Sequence, residues 1–246
     1  MQNLRKRQAV AKSEAVFGDN MAFMATCRDN AFGLAVVDCP YGIGEDGSKN
    51  HTRGLLAVSR DYKAFSGNDL DAPPVEFFKE LQRASRHQII FGANHFIDRL
   101  PQPINSPCWI VWDKDNGLTD FADCELAWTS FPTAVRKFKF KWQGMLQENG
   151  GWKKEQRIHP TQKPVELYRF LLKTYAQPNF TIFDPNMGSQ SSRIAAYDLG
   201  FDYVGCELDE DYYKAGCERF DRHIAQGNLF REPERVVEQA GIFDNA

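Results

Sequence analysis

Apolar runs that stop at an acid punctuate this chain, and their spacing predicts an alternating α/β protein. Leu34-Ala35-Val36-Val37 is uniformly apolar and partly β-branched, the pattern of a strand covered on both faces, and Pro40 forbids its continuation past Asp38. The same pattern recurs at Trp109-Ile110-Val111-Trp112 before Asp113, at Thr181-Ile182-Phe183 before Asp184 and at Tyr203-Val204-Gly205-Cys206 before Glu207. Gln88-Ile89-Ile90-Phe91-Gly92 reads as a further strand, and Glu125-Leu126-Ala127-Trp128-Thr129 as a weaker one. Helical periods lie between them. Met21, Phe23, Met24 and Cys27 follow a capping Asp19 or Asn20; Val75, Phe77, Phe78, Leu81 and Ala84 follow Pro73-Pro74; Val165, Leu167, Tyr168, Leu171, Leu172 and Tyr175 follow Pro164. Ile194, Ala195, Tyr197 and Leu199 mark another helix that stops at Gly200, and a last helix over about 209–225 is expected to end at Gly227. Residues 1–16 read as a polar lead-in with some helical character.

Strands of this kind in one parallel sheet bring their terminal acids, Asp38, Asp113, Asp184 and Glu207, to a single edge. Ligands of open α/β sheets bind at that edge, and a row of acids there suits a polar or cationic ligand. Residues 43–71 break every period with Gly, Ser, Asn and charged residues, and are expected to form a mobile loop over the site. The 246 residues suit one large domain.

Composition, at 42% apolar and 26% charged residues, is that of an ordinary globular protein, and no run reaches the length of a membrane span. The basic, polar start carries no apolar core of a signal peptide, so a cytoplasmic location is expected. Six cysteines (Cys27, Cys39, Cys108, Cys124, Cys206, Cys217) are too widely spaced for a zinc site, and no metal is expected. A net charge of -3 gives no global attraction for nucleic acid, but the distribution is uneven. From Phe131 to Lys163, Arg136, Lys137, Lys139, Lys141, Lys153, Lys154, Arg157 and Lys163 face only Glu148 and Glu155. This basic stretch is interleaved with Phe138, Phe140, Trp142 and Trp152, which makes residues 131–158 the candidate recognition insert, a phosphate-contacting surface with stacking rings among its cations. A solvated hairpin is the plainer alternative.

The strand ending at Asp184 is followed by Pro185-Asn186-Met187-Gly188-Ser189-Gln190-Ser191 and a helix, and Glu207 comes 19 residues after Gly188. That is close to the spacing at which Rossmann-type folds set an acid on a ribose diol. A dinucleotide needs three glycines so that its pyrophosphate can reach the helix amino end; only Gly188 is in place here, which disfavours a nicotinamide dehydrogenase. A nucleoside cofactor without phosphate fits better, and S-adenosylmethionine, with its sulfonium and ammonium groups, suits an acidic edge.

Asp38-Cys39-Pro40-Tyr41 resembles the Asp/Asn/Ser-Pro-Pro-Tyr/Phe signature of DNA amino-methyltransferases, and residues 183–192 resemble their cofactor motif, Asp-Pro-Phe-x-Gly-Ser-Gly-Thr/Ser. The catalytic motif comes first, with residues 159–164 between the two, an order that resembles the circularly permuted β-class of N6-adenine and N4-cytosine enzymes. The resemblance runs from Gly18 to about Arg219. It implies a Rossmann-like methyltransferase fold, a mostly parallel sheet with helices on both faces, S-adenosylmethionine as cofactor, and double-stranded DNA as substrate. Asp38, Cys39, Pro40 and Tyr41 would be catalytic; Asp184, Pro185, Asn186, Gly188, Ser189, Gln190, Ser191, Glu207 and Lys163 would hold the cofactor; Asp19, Arg136, Lys137, Lys139 and Lys141 would meet the DNA. Asp at position 38 resembles the adenine-directed members, which implies adenine N6 as the target; N4-cytosine and a catalytically silent DNA-binding protein are the alternatives.

The chemistry agrees with the motif. An exocyclic amine conjugated with its ring is a poor nucleophile, so a site must accept its protons and stabilise the positive charge that develops on methylation, which Asp38 and the Cys39 carbonyl can do. Tyr41 is the ring on which a flipped base would stack. A C5-cytosine mechanism through the Cys39 thiolate is disfavoured because the adjacent carboxylate raises the thiol pKa. Two positions depart from the pattern. Cys39 lacks the φ restraint of proline, and in the cofactor turn Asn186 and Gln190 stand where phenylalanine and the second glycine are usual; Gln190 costs about 1–2 kcal/mol if its φ must be positive, or blocks the site if its side chain lies against the cofactor. A homodimer is expected as one assembly state. Finally, Gln226-Gly227-Asn228-Leu229-Phe230 resembles the short peptides that dock DNA enzymes on sliding clamps, although folding of Leu229 and Phe230 back onto the domain is the favoured reading.

Overall fold

The structure, a computed structural model, describes residues 11–44, 69–100, 105–116, 122–143, 146–149, 154–159 and 161–229. In chain order its elements are β1 (Ser13–Phe17), α1 (Asn20–Thr26), β2 (Phe32–Val37), α2 (Val75–Ala84), β3 (Ser85–Phe91), β4 (Trp109–Asp113), β5 (Cys124–Thr129), β6 (Arg136–Lys139), β7 (Trp142–Gln143), β8 (Leu146–Gln147), α3 (Val165–Tyr175), β9 (Thr181–Asp184), α4 (Ser191–Leu199), β10 (Asp202–Glu207) and α5 (Glu210–Leu229). Eight of the strands form one sheet in the order β1-β10-β9-β2-β3-β5-β4-β6. Only β5 runs antiparallel to its neighbours in it.

All six residues of β2 are buried, as its unbroken apolar run requires of a central strand. Its side chains alternate between two cores. Leu34 and Val36 join Ile89, Phe91 and the apolar faces of α3 and α4 on one side, whereas Ala35 and Val37 join Ile90 and the faces of α1 and α2 on the other. Helices therefore cover both faces of the sheet. α3 begins after Pro164, where a missing N–H costs nothing, and α4 stops at Gly200 in the left-handed region.

Three expectations are corrected. The lead-in contains β1, a half-exposed edge strand parallel to β10, whose local polarity hides the pairing it gains there. In the basic region, β6 belongs to the main sheet as the edge strand beside β4. Phe140 and Trp142 are buried in the core, the Trp142 indole N–H donates to the Gln162 carbonyl at 2.7 Å, and Phe138 stacks on Phe170 at 4.9 Å. These rings anchor the region and are not free to stack on bases; Trp152 lies outside the described residues. Third, α5 continues through Gly227 to Leu229, because Gly227 keeps a negative φ and so forms no left-handed cap. Phe230 lies outside the described residues, as does most of the loop expected at 43–71, of which only Ile43, Gly44 and residues 69–71 are described. Among the described residues no helix is long and apolar enough to cross a membrane.

Candidate active site

Asp38, Asp184 and Glu207 end the neighbouring strands β2, β9 and β10 and so converge on one edge of the sheet. Asp113 shares that edge but lies three strands beyond β2, where it accepts from the Asp115 N–H at 3.0 Å and pairs with Lys137 at 3.3 Å. It therefore lies apart from Asp38, Asp184 and Glu207. Its place near Asp38 is filled by Glu125, which opens β5; because β5 is antiparallel, its start lies where the other strands end.

Lys163, just ahead of α3, reaches into this group. Its buried ammonium lies 2.5 Å from Asp38 Oδ1, 3.0 Å from the Tyr41 hydroxyl and 3.1 Å from Glu125 Oε2. An ammonium has three protons, and here each has an acceptor. Glu125 is held in turn by Lys114 at 2.5 Å. Burial pushes the Glu125 carboxyl up, but Lys163 and Lys114 outweigh it and bring it down to about 2. Burial also opposes the charge on Lys163, yet Asp38 and Glu125 hold its ammonium above the ordinary lysine value. Asp38 itself is raised, chiefly by burial, with Lys163 pulling the other way. Lys163, expected at the cofactor, thus lies with Asp38, Tyr41 and Glu125.

The turn after β2 is clamped. One carboxylate oxygen of Asp69 accepts the Tyr41 and Gly42 N–H groups at 2.6 and 2.9 Å. The Tyr41 ring lies against Gly92, where φ is 68° and a Cβ would come within 2.2 Å of the ring, and stacks on His95 at 5.5 Å. Its hydroxyl donates to Asp38 Oδ1 at 3.0 Å. Among the described residues Asp38 Oδ2 has no hydrogen-bond partner. Cys39 is buried, and burial together with Asp38 pushes its thiol far above the usual range, which leaves no thiolate for nucleophilic attack.

The glycine turn lies one strand away. Asp184 accepts from the Asn186 N–H at 3.0 Å and the Ser192 hydroxyl at 2.6 Å, and burial raises it to about 7. Glu207 accepts from the N–H groups of Gly188 at 2.8 Å and Asp209 at 2.9 Å. Gly188 has a φ of 44° beneath the His159 ring, whose pKa burial lowers to about 4. Pro185 is tied to α1 through the Asn20 amide at 3.0 Å, and Ser189 and Ser191 face Arg219, which bonds the Ser189 carbonyl at 2.6 Å and the Ser191 hydroxyl at 3.0 Å. Gln190 takes up the left-handed conformation, φ 60° and ψ 27°, as the glycine pattern implied. Its side chain, however, turns away from the sheet edge. It accepts from Arg193 at 2.9 Å, donates to the Tyr213 carbonyl at 3.3 Å, and packs where a Cβ on Gly216 would come within 2.7 Å. Of the two costs open to this residue, the structure shows the positive φ, while the side chain is accommodated by polar contacts away from the sheet edge.

These residues fit a nucleoside cofactor. Leu208, beside Glu207, is 68% exposed, and Phe17, paired in register with Glu207, is 52% exposed; apolar surface next to a carboxylate suits a nucleoside, with its flat base and ribose diol. The Asn186 side-chain oxygen is buried without a partner in the same turn. Leu208 and Phe17 were missed from sequence because exposure is not legible there. Asp19 caps α1 through the Ala22 N–H at 2.7 Å, while Gly18 bonds the Glu207 carbonyl at 2.9 Å, so Asp19 stands at the Glu207 end and not with Asp38. Lys137 and Lys139 are exposed along β6 and Lys141 is half-buried just after it, but Asp113 and Asp115 lie within 3.0 to 3.9 Å of them and dilute the local charge. Arg136 is exposed at the start of β6.

The fold is that of the S-adenosylmethionine-dependent DNA methyltransferases. The M1.HpyAVI-SAM complex superposes with a TM-score of 0.51 at 16% identity, covering 85% of this chain and 98% of that one. The PvuII DNA methyltransferase, cytosine-N4-specific, gives 0.53 at 12% identity over 92% and 95%. In sequence, residues 111–218 match the N6/N4 DNA methylase family. The type II methyltransferase M2.MboI of Moraxella bovis is 24% identical over 237 residues, 82% of this chain and 85% of its own. A protein described as a methylase, YubD of Escherichia coli (strain K12), is 43% identical over 81 residues; the match spans 31% of this chain and 36% of YubD.

Proposed function

We propose that this protein transfers a methyl group from S-adenosylmethionine to the exocyclic amine of a base flipped out of double-stranded DNA, with adenine N6 as the target. The observation that carries this reading is Asp38: an oriented carboxylate with Oδ2 unpartnered among the described residues, one strand from the glycine turn and bonded to the Tyr41 ring that would bear the base. Its place ahead of the glycine turn in the chain, yet beside it in the sheet, supports the permuted motif order.

When bound, S-adenosylmethionine supplies an electrophilic methyl group at this edge. Glu207 would hold the ribose diol, Leu208 and Phe17 would flank the adenine, and the Asn186 and Gly188 turn would receive the amino-acid end, with Pro185 and Ser189 shaping its backbone. Asp38 Oδ2 accepts one proton of the target amine and the Cys39 carbonyl the other. This orients the nitrogen lone pair and stabilises the positive charge that builds up on it. The surplus proton leaves the methylated nitrogen by way of Asp38. Tyr41 supplies a face for the base, which means that His95 must give way from its present stack. Arg136 and the β6 lysines form the positive rim for DNA phosphates.

The test is methyl transfer to a duplex library, followed by mapping of the modified base. Asp38→Ala should abolish transfer, a loss of at least 1000-fold, while calorimetry shows cofactor affinity within about twofold of the parent protein. Full activity in Asp38→Ala would sink the assignment, and a methylated cytosine N4 would replace the adenine target.

A further inference from the structure

Glu125 and Lys114 have no part in the motifs above, yet both are drawn into the catalytic group. Glu125 is a buried acid shared between two lysines, 3.1 Å from Lys163 and 2.5 Å from Lys114. Lys163 in turn is shared between Glu125 and Asp38, so the four charges form one chain: Asp38, Lys163, Glu125, Lys114. A cation bound to a single carboxylate would neutralise it fully and weaken it as an acceptor for an amine proton. A cation shared with a second carboxylate neutralises it in part.

We propose that Glu125, anchored by Lys114, is a positioning residue that divides the Lys163 ammonium with Asp38, so fixing the orientation of Asp38 and the negative charge it presents to the target amine. Three features support this. The ammonium has three acceptors, Asp38, Tyr41 and Glu125, and losing any of them frees it to rotate. Both residues expected to touch the base are held by that one ammonium. Asp38 spends only Oδ1 on it, and Oδ2 has no partner among the described residues. The groups facing Asp38 are Lys163 ahead of α3, Tyr41 and Cys39 after β2, Glu125 on β5, Asp184 on β9 and Tyr168 on α3, with Lys114 beyond Glu125. Of these, only Lys163, Glu125 and Lys114 are ion-paired into the chain that ends on Asp38.

The proposal rests on Asp38 acting on an amine, and its signature is a pair of opposite shifts. Glu125→Gln keeps the shape but removes the charge, so Lys163 turns wholly to Asp38, and the acid limb of the kcat/KM profile moves to lower pH. Lys114→Met removes a cation and leaves Glu125 to bear more fully on the pair, so the limb moves to higher pH. Each variant is expected to lose about tenfold in kcat with cofactor affinity unchanged. The Asp38 carboxyl carbon, titrated by NMR in both variants, reads the same shifts without any turnover. A parent protein that methylates no DNA but shows the opposed shifts would overturn the assigned reaction and leave the positioning intact. Shifts that are absent, or of one sign in both variants, would overturn the positioning.

Discussion

Replacing Gln190 by glycine separates what the turn requires of its backbone from what it requires of the side chain. From the motif alone, the change should tighten cofactor binding about tenfold by clearing a pocket. The structure predicts otherwise. Glycine relieves about 1–2 kcal/mol of left-handed strain. Against that, the buried amide accepts from the Arg193 guanidinium at 2.9 Å, a charge-assisted bond whose loss costs about 1.5–3 kcal/mol. The donor to Tyr213 and the packing over Gly216 add about 1–2 kcal/mol more. The balance is a destabilisation of about 0.5–4 kcal/mol, so at about 2–4 °C per kcal/mol for a chain of this size the melting temperature should fall by about 4–8 °C for a loss of about 2 kcal/mol, near the middle of that range.

Cofactor affinity by calorimetry should stay within about twofold, because the side chain faces α4 and α5 and not the sheet edge. Gln190→Ala, which keeps the strain and loses the bonds, should be less stable than Gln190→Gly by about 1 kcal/mol. A tenfold gain in affinity on Gln190→Gly with no loss of stability would refute the reasoning, since it would mean that the side chain occupies the cofactor's space.

Two other changes probe the edge and the buried acid. Neutralising Lys137, Lys139 and Lys141 together should weaken DNA binding and reduce the salt slope by about 0.9 for each phosphate left without its cation, with cofactor affinity unmoved; an unchanged slope would show that these lysines only protect an exposed edge strand from pairing. Asp184→Asn tests the linkage of the raised carboxyl. Burial lifts Asp184 to about 7, so between the unfolded value near 4 and pH 7 the native state binds the extra proton, and its stability falls as pH rises. The amide can still accept from Asn186 and can donate to Ser192, which has Tyr203 at 2.9 Å for its own proton. Relative to the parent protein, Asp184→Asn should therefore gain stability from pH 5 to pH 8, by at most about 4 kcal/mol. Parallel melting curves across that range would contradict the raised value.

The parallel core was legible because a buried parallel strand has one sequence signature, an unbroken apolar run, and β2 and β9 show it. β1 was not, because a half-exposed edge strand such as Ser13–Phe17 takes its pairing from a distant partner and not from its own pattern. Strand direction was equally silent. Read as parallel, the run 125–129 would put Glu125 at the far edge; as an antiparallel strand it opens at the active one. The acid rule thus retained Asp113, which lies three strands from Asp38, and passed over Glu125, which shares the Lys163 ammonium with it. Aromatics among lysines were read as stacking groups because composition cannot tell a ring facing solvent from one that fastens a loop to the core, as Trp142 does at Gln162.

Cys39 illustrates how tertiary contacts stand in for a covalent restraint. A proline there would fix φ and remove about 0.4–1 kcal/mol of unfolded-chain entropy, holding the acid and ring at fixed angles before any ligand arrives. In this chain both ends of the turn are pinned from elsewhere: Lys163 takes Asp38 and the Tyr41 hydroxyl, and Asp69 takes the Tyr41 and Gly42 N–H groups. Two charge-assisted anchors of this kind contribute more than the absent ring would. In the proposed reaction only the carbonyl of residue 39 is used, so cysteine can stand there, and the segment's order depends on Lys163 and Asp69 where a proline would have made it local.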